Sequence, residues 1–261
     1  QIRTAMLGLL AILILAIGLL SWQKGLFTFN RSEVTPYSEQ DLRMSFAVLP
    51  LSAPDGDKAA AAFAEALTAA FIDRQANSPW ARVVSRGSVD DALKKYTSAK
   101  DLGRALNVHF LMRGNVVRSG NYFTTTASVI DAQNDRVLGT PEFKWPAGKA
   151  VHGYSEEIDH AVGRLAGMGY QVELLHTERK KSEELDVRDL AYLANQGWKN
   201  DKPSYDAVMP LLSRALSQSP DDRLALMLMV KANLCECRNT WSKNPEEQEK
   251  IGSEALDKYL A

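Results

Sequence analysis

The chain has 261 residues, 45% hydrophobic and 24% charged, a balance that excludes disordered and collagen-like sequences and suffices for one large or two modest domains. A formal net charge of −1 excludes an overall basic footprint for nucleic acid, but the charge is unevenly spread, +1 over 1–43, +3 over 44–150 and −5 over 151–261. Cys235 and Cys237 are too few for a disulfide framework or a four-ligand zinc site; at i, i+2 on a predicted helix their side chains diverge, and both are expected to be small buried hydrophobes.

The first element is "AMLGLLAILILAIGLLSW", Ala5 to Trp22. Eighteen uncharged residues make about 27 Å of helix at about 1.5 Å each, close to the thickness of a bilayer core. We read 1–23 as a transmembrane helix with Trp22 at the interface. A signal peptide is the rival reading, yet "LLSWQKG" offers no small-x-small cleavage site. Arg3 on one side and Lys24, Arg31 and Arg43 on the other do not orient the span, because whatever precedes Gln1 enters the same comparison. Residues 24–43 are polar, contain Pro36 and lack a helical period, which predicts a linker.

From Met44 the pattern is α/β. Met44 to Pro50 predicts a strand, Asp57 to Gln75 a helix burying Phe63, Leu67 and Phe71, and Ala81 to Val84 a second strand. Ser98 and Asp101 suggest a capping box for a short helix ending near Asn107. Val108 to Arg118, Tyr122 to Asp131 and Arg136 to Trp145 predict three successive strands joined by "SGN" and "AQND". Val151 to His176 repeats apolar residues at threes and fours and predicts a long amphipathic helix on the sheet. The charged stretch "TERKKSEELD", Thr177 to Asp186, marks a boundary. Helices are expected over Val187 to Lys199, Tyr205 to Gln218, Asp222 to Arg238 and Glu246 to Leu260, as stacked hairpins in which each unit buries its apolar face on a neighbour.

No catalytic, cofactor-binding or metal site emerges. The turn "SAPDGDK" has one glycine and two carboxylates, whereas a phosphate cradle needs several glycines and no like charge; Asp55 or Asp57 is expected at the helix N-terminus instead. His109, His152, His160 and His176 show no metal-ligand spacing, and His109, inside an apolar strand, reads as a structural histidine. Ser85 in "VVSRGSV" is not a nucleophile elbow. Glu156, Glu157 and Asp159 read as a solvated, dipole-favoured helix start rather than a catalytic pair. Arg113 and Arg118 fit either an anion site or strand positions facing water.

"FAVLPLSAPDGD" at 46–57, the helix residues Phe63, Ala64, Leu67, Thr68 and Ile72, "VVSRGSV" at 83–89 and "LGRALNVHFLMRGNVVRSG" at 102–120 resemble the TolB amino-terminal-like domain. Leu212, Ala215 and Pro220 are similar to the latter half of a tetratricopeptide repeat. The resemblance covers 44–176 well and 187–261 loosely; it departs at Leu51, where an aromatic is usual, and in the repeat period, with Ala215 and Ala255 forty residues apart. It implies an α/β domain at 44–180, with a mixed sheet in a two- or three-layer sandwich, after one transmembrane helix, and an all-α tetratricopeptide-like region at 187–261.

The same resemblance implies a bacterial inner-membrane protein with a periplasmic soluble part, protein partners at the hairpins, no cofactor and no catalysis in this segment. Proteins of this order often carry a class III adenylate or guanylate cyclase domain or a winged-helix domain before the span. A chain starting at Gln1 fits the carboxyl-terminal portion of such a receptor, a single-span protein with a short tail, or an accessory subunit of a membrane complex.

Overall fold

The computed structural model describes residues 42–239, 241 and 244–261. The predicted span over 5–22 and most of the linker lie outside them, and among the described residues no helix is long and apolar enough to cross a membrane.

Six strands form one mixed sheet: β1 (Ser45–Val48), β2 (Arg82–Val83), β3 (Phe110–Ser119), β4 (Tyr122–Asp131), β5 (Arg136–Gly139) and β6 (Glu142–Pro146). The order is β2-β1-β3-β4-β5, and β6 also pairs with β4. β1 runs parallel to β2 and β3, and the β3–β4 hairpin and both later strands are antiparallel. The single strand expected over 136–145 is thus two. Pro141 has no N–H for a ladder, its carbonyl accepts instead from the Ala127 N–H, and the register shifts between Val129 and Ile130. β5 and β6 therefore share one edge of β4.

Helices cover both faces, which makes the sandwich three-layered. Helices α1 (Lys58–Ala76) and α4 (Ser155–Thr177) lie on one face, where Phe63, Leu67, Phe71, Ile158 and Leu165 meet Phe46, Val48, Met112, Val129 and Trp145. Helices α2 (Arg86–Leu93) and α3 (Ala99–Leu106) cover the other, where Val89, Leu102 and Leu106 meet Ala47, Leu111 and Ile130. Alternate residues of one strand thus serve two cores. α2 has no counterpart among the predicted elements; Ser85 caps it by accepting from the Ser88 N–H at 3.3 Å.

Caps set most helix starts. Asp57 accepts from the Ala60 N–H at 2.9 Å, after Gly56 at φ +84° turns the chain. Ser98 accepts from the Asp101 N–H at 3.1 Å, while its hydroxyl donates to the Asp101 carboxylate at 2.6 Å, so the box is half of the expected one. A side chain at Gly114 would meet the Thr126 carbonyl at 2.2 Å, because β4 and the Leu51 side chain close on it there.

Four more helices follow: α5 (Val187–Gly197), α6 (Lys202–Gln218), α7 (Arg223–Asn239) and α8 (Pro245–Leu260). α5 packs on α6 and α7 on α8, and α7 also touches both helices of the first pair, so two hairpins stack. Pro203 sits in the first turn of α6, where a missing N–H costs nothing. The buried apolar cluster under the sheet continues through Val172 and Leu174 into Ala191, Tyr192, Leu212, Leu228 and Ala255. Cys235 is half-buried and Cys237 exposed, which corrects the expectation that both are buried: they flank the inward stripe of α7, which holds Met229, Ala232 and Glu236.

Candidate functional site

Strand polarity gathers charge at one edge of the sheet. β1 and β3 are parallel, so the residues leading into them, Arg43 and His109, lie together, and antiparallel β4 ends beside them at Asp131, one position from His109 in the Phe110–Asp131 register. The last turns of α4 bring Glu173 and Thr177 to the same edge, and the start of α5 adds Asp186 and Asp189. This edge is the seam between the α/β layers and the hairpins, and a cleft of about 380 Å³ runs along it, lined by Leu42, Arg43, His109, Gln133, Glu173, His176 and Lys180.

His109 is 4% exposed. Its Nδ1 is 2.7 Å from Glu173 Oε1, its Nε2 lies 3.4 Å from Asp131 Oδ1, and its ring stacks on Phe110 at 4.1 Å between centroids. Asp131 is engaged elsewhere: its Oδ1 accepts from the backbone N–H groups of Gln133 (3.0 Å) and Asn134 (3.2 Å), and its Oδ2 from Asn134 Nδ2 (2.7 Å). That hydrogen bonding builds the β4–β5 turn. A carboxylate holding an imidazole is half of a nucleophile–base arrangement; here the ring is packed among Phe110, Glu173 and Asp131. His109 braces β3, β4 and α4 together.

The charges around Arg43 form a clamp across the seam. Arg43 donates from Nη2 to Asp186 Oδ2 at 2.8 Å and from Nη1 to Asp189 Oδ1 at 2.8 Å. Lys180 Nζ donates to Asp189 Oδ2 at 2.7 Å, and the Thr177 hydroxyl to Asp189 Oδ1 at 2.7 Å. Asp186 also caps α5, accepting from the Arg188 and Asp189 N–H groups at 3.0 Å each. The Asp189 side chain is 1% exposed. Burial pushes its pKa up, but the hydrogen bonds from Lys180 and Thr177, with the Arg43 guanidinium, outweigh it and hold the carboxyl below its ordinary value. Arg43 is likewise held above its ordinary value: burial opposes its charge, and the Asp186 and Asp189 carboxylates overcome that.

The other residues weighed in the sequence are dispersed. Asp159 pairs with Arg74 at 3.2 Å near the N-terminal end of α4, and Glu156 and Glu157 stay exposed in its first turn. His152 and His160 are exposed. Arg113 and Arg118 are five positions apart on one strand and so point to opposite faces, which prevents them from converging on an anion; Arg118 lies over the Phe123 ring at 6.0 Å. Among the described residues no cluster of His, Cys, Asp and Glu is arranged to hold a metal ion. Arg43 and Asp189 are 146 positions apart, and no local pattern links them. Glu173 did leave a sign: it stands four residues from Gly169 and from Thr177, on the buried stripe of α4, where a carboxylate demands a partner.

No family model matches the chain, and no curated protein does. Solved structures similar to it include TolB from Acinetobacter baumannii (16% identity, 49% of this chain, TM-score 0.33) and lipoprotein GNA1162 from Neisseria meningitidis (15% identity, 47% of this chain and 96% of that one, TM-score 0.35). The C-terminal domain of LpoB from Salmonella enterica is another, at 12% identity over 40% of this chain and 84% of that one, with a TM-score of 0.34. The chain covers 27% of the TolB structure. Each of these matches covers about half of this chain or less.

Proposed function

We propose that this chain is the membrane-anchored, extracytoplasmic protein-binding region of a bacterial signalling protein, without catalysis of its own. In this reading 5–22 is the span, the α/β layers are a TolB-like platform, and the two hairpins are a short tetratricopeptide-like array that docks a partner. The observation that carries it is the second hairpin. Leu260, Leu234 and Leu256 are 72%, 61% and 41% exposed there, among the exposed acidic residues Glu246, Glu247, Glu249, Glu254 and Asp257. Leu256 and Leu260 are one turn apart on α8, so they present one apolar stripe flanked by negative charge. Such a stripe suits an amphipathic partner segment with basic flanks. The seam supports the signalling part: Arg43 ends the linker from the membrane and grips the start of α5, so strain in the hairpins reaches the tether directly. The resemblance to the TolB amino-terminal-like domain supports the link to a cyclase or regulator domain before the span.

A photo-crosslinking side chain placed at Leu256 or Leu260 in cells of the source organism should yield a discrete adduct that the same side chain at Val137, exposed on the sheet, does not. Adducts at neither leucine, or the same adducts at Val137, overturn the docking reading. For the topology, single cysteines at Ser38 and Ser182, with Cys235 and Cys237 replaced, should react with an impermeant thiol reagent on intact spheroplasts; reaction only after lysis puts the region in the cytoplasm.

A further inference from the structure

α4 carries three glycines, Gly163, Gly167 and Gly169, and they do different things. A side chain at Gly169 would sit 2.9 Å from the Phe46 ring and 3.0 Å from that of Phe110, so packing on the sheet requires glycine there. At Gly163 and Gly167 an added Cβ meets nothing within 4 Å. Glycine inside a helix costs about 1 kcal/mol relative to alanine, and no neighbour demands it at these two positions. Both line a cavity of about 340 Å³ between the end of α1, the 78–80 loop, α4 and α5. That volume lies in the range of about 300 to 1,000 Å³ usual for small-molecule sites.

The walls are apolar and aromatic: Met44, Val162, Ala166, Trp80 and Tyr170, the two rings meeting edge to face at 5.8 Å. Polar groups interrupt that lining: Ser78, Asn195, whose Nδ2 donates to the Tyr170 hydroxyl at 3.3 Å, and Gln75. Gln75 is 0% exposed, and neither its Oε1 nor its Nε2 has a hydrogen-bond partner. Burying an amide without partners costs about 1–3 kcal/mol, and nearly all buried polar side-chain atoms avoid that cost. A primary amide offers a donor and an acceptor side by side, and its complement is a group with an acceptor and a donor in the same spacing. At the rim, Arg74 and Asp159 neutralise each other at 3.2 Å, so no net charge there favours an ion.

We propose that this cavity binds a small, uncharged, planar aromatic amide or lactam, whose ring lies against Trp80 and Tyr170 and whose amide pairs with Gln75. The site is separate from the leucines of the second hairpin and stands or falls independently of them.

The test uses the full chain in lipid nanodiscs, with protein-free nanodiscs as the blank, and two probes: 2-naphthamide, and 2-acetonaphthone, which keeps the ring and the carbonyl but replaces the NH2 by a methyl. Calorimetric titration should show the amide bound at least about tenfold more tightly than the ketone, the scale of one well-made hydrogen bond. Gln75→Leu should remove that preference while both probes still bind. Gly167→Leu, directed into open space, should abolish binding of both with the circular dichroism and melting temperature kept. Absence of binding, equal affinities for the two probes, or an amide preference that survives Gln75→Leu overturns the proposal. If Gln75→Leu does not fold, Gly167→Leu decides, and a variant that still binds the amide overturns it.

Discussion

The α/β layers and the helical hairpins are buried by different logics. In the layers every long element has a neighbour on each side, and both faces of the sheet at β1 and the start of β3 are closed. In the hairpins α5, α6 and α7 bury residues against their neighbours, Leu190, Leu212 and Leu228 among them, whereas α8, the last of the stack, buries Ala255 alone. A stack takes its stability from nearest neighbours, and α8 packs chiefly on α7. The charged stretch around 177–186, which reads as a boundary, ties the two regions together, beside the apolar cluster they share.

Arg43→Met tests that tie hardest. Removing one partner of a buried ion pair costs about 3–5 kcal/mol, and here Asp186 and Asp189 both lose their guanidinium. Chemical denaturation of the full chain should go from one transition to two, the hairpins first; a single transition of unchanged midpoint would show that apolar packing alone joins the regions. The layers should be more sensitive to core truncation than the second hairpin is to surface truncation. Leu67→Ala, at a position 0% exposed, should cost about 3 kcal/mol. Leu256→Ala, at 41% exposure, should stay within about 0.5 kcal/mol.

A pH series sharpens the account of the seam. The Asp189 carboxyl is held below its unfolded value of 3.8, so its contribution is fully present above that value and is lost as pH falls through the lower folded one. The stability difference between the wild type and Asp189→Asn should be constant from pH 7 to 5 and shrink below about pH 4; a difference that grows on acidification would reverse the assignment. On α8, Ala255→Gly should cost about 1 kcal/mol and speed amide exchange in α8 without changing it in β3.

How much of this was legible depended on the range of the interactions. Asp57 and Ser98 were readable as helix starts, because a cap acts within three residues. Phe63, Leu67 and Phe71 were readable as one buried stripe, because helical period repeats within the element. α2 escaped because it is eight residues long and buries only Val89 and Ala92, too short a record for a period to show. The Arg43 clamp escaped because its partners are 143 and 146 residues away. Gln75 closed the predicted α1 as an ordinary polar residue; that it is buried and unpartnered depends on Trp80, Tyr170 and the glycines of α4, which only the fold brings to it.

The break at Pro141 also matters for molecules in the crowd. Unbroken, residues 136–145 would offer neighbouring copies a ten-residue ladder of free N–H and C=O groups, the template on which strands add edge to edge. Split into β5 of four residues and β6 of five, offset by a proline and a register shift, that border is too short and too kinked to recruit a foreign strand, and Lys144 in β6 adds a charge against it. One imino acid thus shortens the ladder that this border could offer to a second strand.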